Sequence, residues 1–174
     1  MITIVSSTNR KNSTTLKIAT LYQQRLQAMQ LTSTLIDLSD LPQDFIFSAL
    51  YENNGKHPVF NTFRQQIAES TKLIFIVPEY NASYPGVLKG FIDGLSYPDA
   101  LAGKKAALVG LSSGVLGNAW GLNHLTDVFH YLTMEVLSIK VRLANIKAHF
   151  IQGELTNPLY NELIQIQLEK FKDF

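Results

Sequence analysis

The 174-residue sequence contains no cysteine, and this absence excludes several kinds of chemistry. Without thiols the chain can form no disulfide, no Cys-ligated zinc site, no iron–sulfur cluster and no thiol nucleophile. An excess of charge of one sign is also lacking, because 15 Lys and Arg against 14 Asp and Glu leave a formal net charge of +1. No global field would attract nucleic acid or an anionic membrane surface, so neither is an expected partner.

Long hydrophobic runs are missing as well. No run approaches the roughly 18 apolar residues that a membrane span needs, so we expect no membrane insertion. The first residues, MITIVSS, lack a basic segment and a signal-length apolar run, and they are typical of a first strand in a cytoplasmic protein. The four histidines show no spacing typical of metal ligands, and no serine lies in a GxSxG motif. We therefore expect no metal site and no Ser-based catalysis.

Apolar runs of strand length alternate along the chain with segments of helical period. Strands are predicted at 2–6, 31–38, 73–77 and 106–111, and helices at 16–29, 60–70, 86–95, 118–133 and 157–171. At 46% hydrophobic residues the chain has material for one core, which predicts a single domain over residues 1–174. Its predicted class is α/β, with a doubly wound parallel sheet between two layers of helices.

Three details of this prediction concern packing. The first helix is expected to bury Leu16, Ala19, Leu26 and Met29 on one face. Residues 39–58, which contain two prolines, two asparagines and a glycine, are predicted to run irregularly over the surface. Residues 140–156 have no clear period and are predicted to be extended chain used in subunit contact.

The loop after the first strand, residues 6–15, is rich in hydroxyl side chains and contains Arg10 and Lys11. A helix is predicted to begin at about Thr14, so its free N–H groups and positive dipole end would face the same place. The loop has neither the glycines of a Walker A motif nor a GxGxxG motif, which favours a single terminal phosphate over a pyrophosphate. The alternative is an ordinary Ser/Thr-rich helix cap with solvated charges.

The loop PEYNASYPG follows the apolar run that ends at Val77. Tyr80 offers a flat aromatic face and Asn81 can hydrogen-bond the edge of a heterocycle, although a turn whose Tyr covers the core is the alternative. Glu79 could act as an acid or base there, or it could be an ordinary solvated carboxylate. A third loop, SSGVLGN, begins at Ser112. The carboxyl ends of parallel strands share one edge, so we expect the three loops to form one crevice.

The segment PEYNASYPGVLKGFID resembles the signature of the NADPH-dependent FMN reductase family of flavodoxin-like proteins, which includes chromate, azo and quinone reductases. The segments SSTNRKNS and SSGVLGNAWGLNHL match that family's other two flavin loops in order and spacing. The resemblance implies a flavodoxin-like three-layer sandwich with a five-stranded parallel sheet in the order 2-1-3-4-5. It also implies FMN as cofactor, NADPH or NADH as reductant, a small-molecule electron acceptor, ping-pong kinetics and a homodimer or homotetramer.

The resemblance implies a role for each loop. The first would hold the FMN phosphate, the second would border the isoalloxazine ring, and the third would bind the far side of that ring. No side chain is implied to be catalytic, because N5 of the flavin carries the hydride. The implied residues are, in that order, Thr8, Arg10, Ser13, Thr14 and Thr15; Pro78, Glu79, Tyr80 and Asn81; and Ser112, Ser113 and Gly114.

The sequence departs from the family where Ser7 and Thr15 replace a common Gly and a common Asn. Two alternative functions remain open at this point. A flavodoxin-type electron carrier would bind FMN without oxidising NAD(P)H, although the near-neutral charge is unlike the acidic surface that suits docking to a basic partner. A binding or regulatory module could keep the fold and lack the flavin.

Overall fold

The computed structural model describes residues 1–174. In it, strands and helices alternate as the apolar pattern of the sequence predicts. The strands are β1 Ile2–Ser6, β2 Ser33–Asp37, β3 Lys72–Pro78, β4 Lys105–Leu111, β5 Glu135–Val136, β6 Val141–Leu143, β7 Phe150–Ile151 and β8 Glu154–Leu155. The helices are α1 Thr14–Ala28, α2 Phe45–Ser48, α3 Pro58–Ala68, α4 Gly86–Asp93, α5 Ala119–Tyr131, α6 Ile146–His149 and α7 Pro158–Asp173. None of them is both long enough and apolar enough to cross a membrane.

The main sheet is parallel, and its strand order is β2-β1-β3-β4 followed by a divided fifth position. There β5 pairs with the start of β4 and β6 pairs with its end. The predicted flavodoxin-like order 2-1-3-4-5 is confirmed, with two short strands where one was expected. Hydrophobic clusters fill both faces of the sheet, so the architecture is a three-layer sandwich.

The prediction of extended chain for residues 140–156 was correct only for three short strands. This segment forms β6 in the main sheet, the short helix α6 and the antiparallel hairpin of β7 with β8. Val141 and Leu143 are buried against the second cluster. Elements of two to four residues are too short to show a period in the sequence.

Residues 39–58 also differ from the prediction, because part of this segment belongs to the core. It contains α2 and two short 3₁₀ turns, and it buries Phe45, Ala49 and Leu50. The ring of Phe45 stacks on that of Phe60 in α3, with 5.9 Å between their centroids. The segment therefore packs against α3 and α4.

Helix α1 buries Ala19 and Leu26 as predicted. Leu16 and Met29 are only half-buried, and Ile18 and Tyr22, which were not predicted, are fully buried. The Tyr22 hydroxyl donates to Gln167 Oε1 of α7 at 2.9 Å. Gln167 Nε2 in turn donates to the carbonyl oxygens of Leu108 at 3.0 Å and Ile139 at 2.8 Å. This buried network joins α1, α7 and β4 at the place where the fifth strand position is interrupted.

Alkaline pH should weaken the fold through Tyr22. Burial raises the pKa of Tyr22 well above its ordinary value, so the native state holds the phenol neutral. The resulting stability is fully present below the unfolded-state pKa of about 10 and is lost as the pH rises above it, by up to about 1.4 kcal/mol per pH unit. In urea titrations between pH 9 and 11, wild type should lose stability more steeply than Tyr22→Phe. Equal slopes for the two proteins would contradict this assignment.

Candidate functional site

A cleft of about 400 Å³ opens at the carboxyl edge of the sheet, where ligands bind in open α/β folds. Its walls come from the loops after β1, β3 and β4, which we call the first, second and third loops, and from α6. All the site residues predicted from the sequence line it except Gly114. The lining residues are Thr8, Arg10, Ser13, Thr14, Thr15, Pro78, Glu79, Tyr80, Asn81, Leu111, Ser112, Ser113, Ile146 and Lys147.

The first loop provides an anion site at the beginning of α1. Ser13 is the N-cap, and its hydroxyl accepts from the amide of Leu16 at 3.1 Å. The amides of Thr14 and Thr15 have no carbonyl partner within the helix, and the first turn carries no acidic residue. Arg10 adds an exposed guanidinium to the same cleft. Dipole, amides, hydroxyls and cation therefore all favour a bound phosphate.

Two side chains of this loop do not face the cleft. Lys11 Nζ lies 3.5 Å from Asp40 Oδ1 and lines a separate cavity, so only one of the two cations noted in the sequence is at the cleft. Ser7 is fully buried, and its hydroxyl donates to the carbonyl of Val5 at 3.3 Å. The replacement of a common Gly by Ser7 therefore places no side chain in the cleft.

The second loop contains a tight turn between Tyr80 and Ser83. The two residues exchange backbone hydrogen bonds of 2.9 and 3.0 Å, and φ is 50° at Asn81 and 59° at Ala82, as in a type I′ turn. The hydroxyl of Tyr80 lies 2.8 Å from Thr8 Oγ1, which joins the second loop to the first. Tyr80 therefore lines the cleft at a fixed position, with free turn amides beside it at Asn81 and Ala82.

The left-handed backbone at Ala82 should make Ala82→Gly stabilising. A non-glycine residue in this conformation costs about 1 kcal/mol, and glycine removes most of that cost. Urea unfolding should show a gain of about 0.5–1 kcal/mol for Ala82→Gly. The control is Ala28→Gly in the exposed last turn of α1, which should lose a similar amount. A loss of stability in both variants would show that Ala82 is not strained.

Glu79 anchors the third loop instead of standing free in solvent. Its Oε2 accepts a hydrogen bond of 3.1 Å from the amide of Asn118, and it is half-buried. Asn118 is fully buried, and its Nδ2 donates to the carbonyl of Val77 at 3.0 Å. Sequence reasoning missed the role of Asn118, although Asn is one of the residues enriched in the left-handed conformation, and its φ here is 63°.

Within the third loop, Ser112 uses its hydroxyl to hold the chain in shape. Its Oγ donates to the carbonyl of Gly114 at 2.8 Å and accepts from the amide of Gly117 at 3.0 Å. The carbonyl of Gly114 also accepts from the amide of Asn145 at 2.8 Å, in the turn before α6. Gly114 thus shapes the loop without lining the cleft. Its neighbour Ser113 is exposed and does line the cleft.

The cleft combines groups suited to two parts of one ligand. At the first loop, amides, hydroxyls and a cation suit a phosphate. At the second loop, an aromatic ring and free amides suit a flat heterocycle with acceptor atoms at its edge. No Ser–His–acid arrangement is present among the residues that line the cleft.

Comparisons with known proteins agree with this description. The sequence profile of the NADPH-dependent FMN reductase family matches residues 1–148. An NAD(P)H-dependent FMN reductase of Pseudomonas aeruginosa is 36% identical over 143 residues, which are 78% of this chain and 74% of that protein. A 2-hydroxy-1,4-benzoquinone reductase of Burkholderia is 36% identical over 106 residues, which are 59% and 56% of the two chains. A solved structure, a flavoenzyme NAD(P)H:(acceptor) oxidoreductase of Paracoccus denitrificans, has a TM-score of 0.73 at 27% identity and covers 99% of this chain and 94% of its own.

Proposed function

The chain belongs to the NADPH-dependent FMN reductase family, and on that premise we propose that residues 1–174 form one domain whose cleft binds FMN. The observation that carries this proposal is the convergence of the predicted loop residues on one cleft. The phosphate would lie among Thr8, Arg10, Ser13, Thr14 and Thr15. The isoalloxazine ring would lie against Pro78, Glu79, Tyr80 and Asn81, with Ser112 and Ser113 at its far side.

The proposed reaction is the NAD(P)H-dependent reduction of a quinone or a free flavin. When bound, FMN would supply the hydride and electron transfer, and the chain would supply binding, orientation and electrostatics. The free amide of Asn81, which lines the cleft, would stabilise negative charge at the ring edge, as oxyanion-hole amides do. Relatives named as FMN and quinone reductases support these acceptors. Azo dyes and chromate belong to the same proposal, as does a cytoplasmic location.

We further propose that the reductant and the acceptor use the same open side of the cleft in turn. One shared site produces ping-pong kinetics, because the oxidised nicotinamide must leave before the acceptor binds. Initial rates measured against NADPH at several fixed quinone concentrations should give parallel double-reciprocal lines. Intersecting lines would contradict the shared site, and the same titrations with NADH would define the preferred reductant.

A second copy of the chain is the proposed partner, as a homodimer or homotetramer. An apolar groove of about 460 Å³ lies between α4 and α5, which are the helices that follow the second and third loops. Its rim includes Tyr97 and Tyr131, which are 72% and 76% exposed and adjacent to one another. Large exposed aromatic side chains around an apolar groove are typical of a subunit interface. Light scattering should give at least twice the chain mass of 19.5 kDa, and a monomer would contradict the proposal.

A further inference from the structure

Two cations line the cleft, and they are distant from one another in the sequence. Arg10 lies in the first loop, and Lys147 lies in α6. Both side chains are exposed, and neither takes part in an ion pair within the chain. Lys11, the cation next to Arg10 in the sequence, lies in another cavity beside Asp40. The cleft therefore holds two uncommitted positive charges, one of which the sequence pattern does not reveal.

The backbone before Lys147 is held firmly against the third loop. The amide of Asn145 donates to the carbonyl of Gly114 at 2.8 Å, and the amide of Ile146 donates to the carbonyl of Ser112 at 3.0 Å. Ile146 is also buried in the hydrophobic cluster below the cleft. These contacts fix the point on the cleft wall from which the Lys147 side chain extends.

The charges of the cleft match a phosphate monoester. Glu79 is the one carboxylate among the lining residues, and it already accepts a hydrogen bond from the amide of Asn118. A phosphate monoester carries a charge of about −1.5 to −2 at neutral pH, which two cations can balance. We propose that Lys147, and not Lys11, is the second cation that contacts the FMN phosphate, in addition to Arg10. This inference rests on the proposed binding of FMN.

The test compares two flavins and two lysine variants. Riboflavin has the ring and side chain of FMN without the phosphate, so a phosphate contact affects the binding of FMN alone. In Lys147→Met the dissociation constant for FMN, measured by fluorescence quenching, should rise about tenfold, while that for riboflavin stays unchanged. Lys11→Met is the matched control and should stay within about twofold of wild type for both flavins. Both lysines are exposed, and thermal melting of each variant verifies the fold.

Several outcomes would overturn the inference. Unchanged FMN affinity in Lys147→Met would exclude the phosphate contact, and so would an equal loss of affinity for FMN and riboflavin. If Lys147→Met keeps FMN affinity and raises KM for NADPH more than for NADH, Lys147 binds a phosphate of the reductant instead. Failure of the wild-type protein to bind FMN would overturn the proposed function together with this inference. This outcome is distinguishable from failure of the inference alone, because the wild-type protein is titrated with FMN before any variant is.

Discussion

Replacing Gln167 with leucine is expected to lower the free energy of unfolding by about 3 to 5 kcal/mol, although the side chains are similar in size. The buried amide makes three hydrogen bonds, two to the carbonyls of Leu108 and Ile139 and one from the Tyr22 hydroxyl. Leucine can replace none of them, so three polar groups would lose partners inside the protein. Each such group costs about 1–3 kcal/mol when it stays buried.

The control for this change lies on the same helix. Gln165 is exposed, and its amide donates to Glu169 Oε1 at 2.9 Å on the helix surface. Gln165→Leu should therefore change the free energy of unfolding by no more than about 0.5 kcal/mol. Urea denaturation followed by circular dichroism measures both variants. Similar midpoints for Gln167→Leu and Gln165→Leu would show that the buried network contributes little.

Gly110→Ala is expected to destabilise the fold by about 3 kcal/mol and to weaken FMN binding at the same time. A Cβ atom at this position in β4 would lie 2.2 Å from the carbonyl oxygen of Gly117 and 3.1 Å from Cβ of Asn118. The first of these contacts is with backbone, which no side-chain rotation relieves. The third loop would have to move, and the hydrogen bond between Asn118 and Glu79 would be strained with it.

Gly114→Ala separates this effect from a general intolerance of the region to alanine. No atom lies within 4 Å of a Cβ at Gly114, and its φ is not in the left-handed region. Its free energy of unfolding should stay within about 0.5 kcal/mol of wild type. Stability measured by urea and flavin affinity measured by fluorescence should fall together in Gly110→Ala. A Gly110→Ala protein as stable as Gly114→Ala would contradict the packing described for the third loop.

The central strands could be predicted from the sequence because each is buried on both faces by its own apolar run. The runs at β3 and β4 were placed within one residue of their observed bounds. The divided fifth position could not be predicted in the same way. Its two strands have two and three residues, and the gap between them is bridged by Gln167, which is distant in the sequence.

The cleft residues could be predicted because parallel strands bring their carboxyl ends to one edge, so three loops rich in polar groups must meet there. The direction in which each side chain points could not be predicted from the sequence. The sequence places Lys11 beside Arg10, and the structure turns it toward Asp40. Asn118 and Lys147 were missed because their positions depend on contacts with other loops and not on any local pattern.

The visible absorption spectrum of the protein titrated with FMN, followed by anaerobic NADPH, tests the central claim most directly. The account predicts that the flavin bands shift as FMN binds and that NADPH then bleaches them. Binding without bleaching would indicate an electron carrier and contradict the proposed reaction. An FMN spectrum unchanged by the protein would contradict the assignment of the cleft itself.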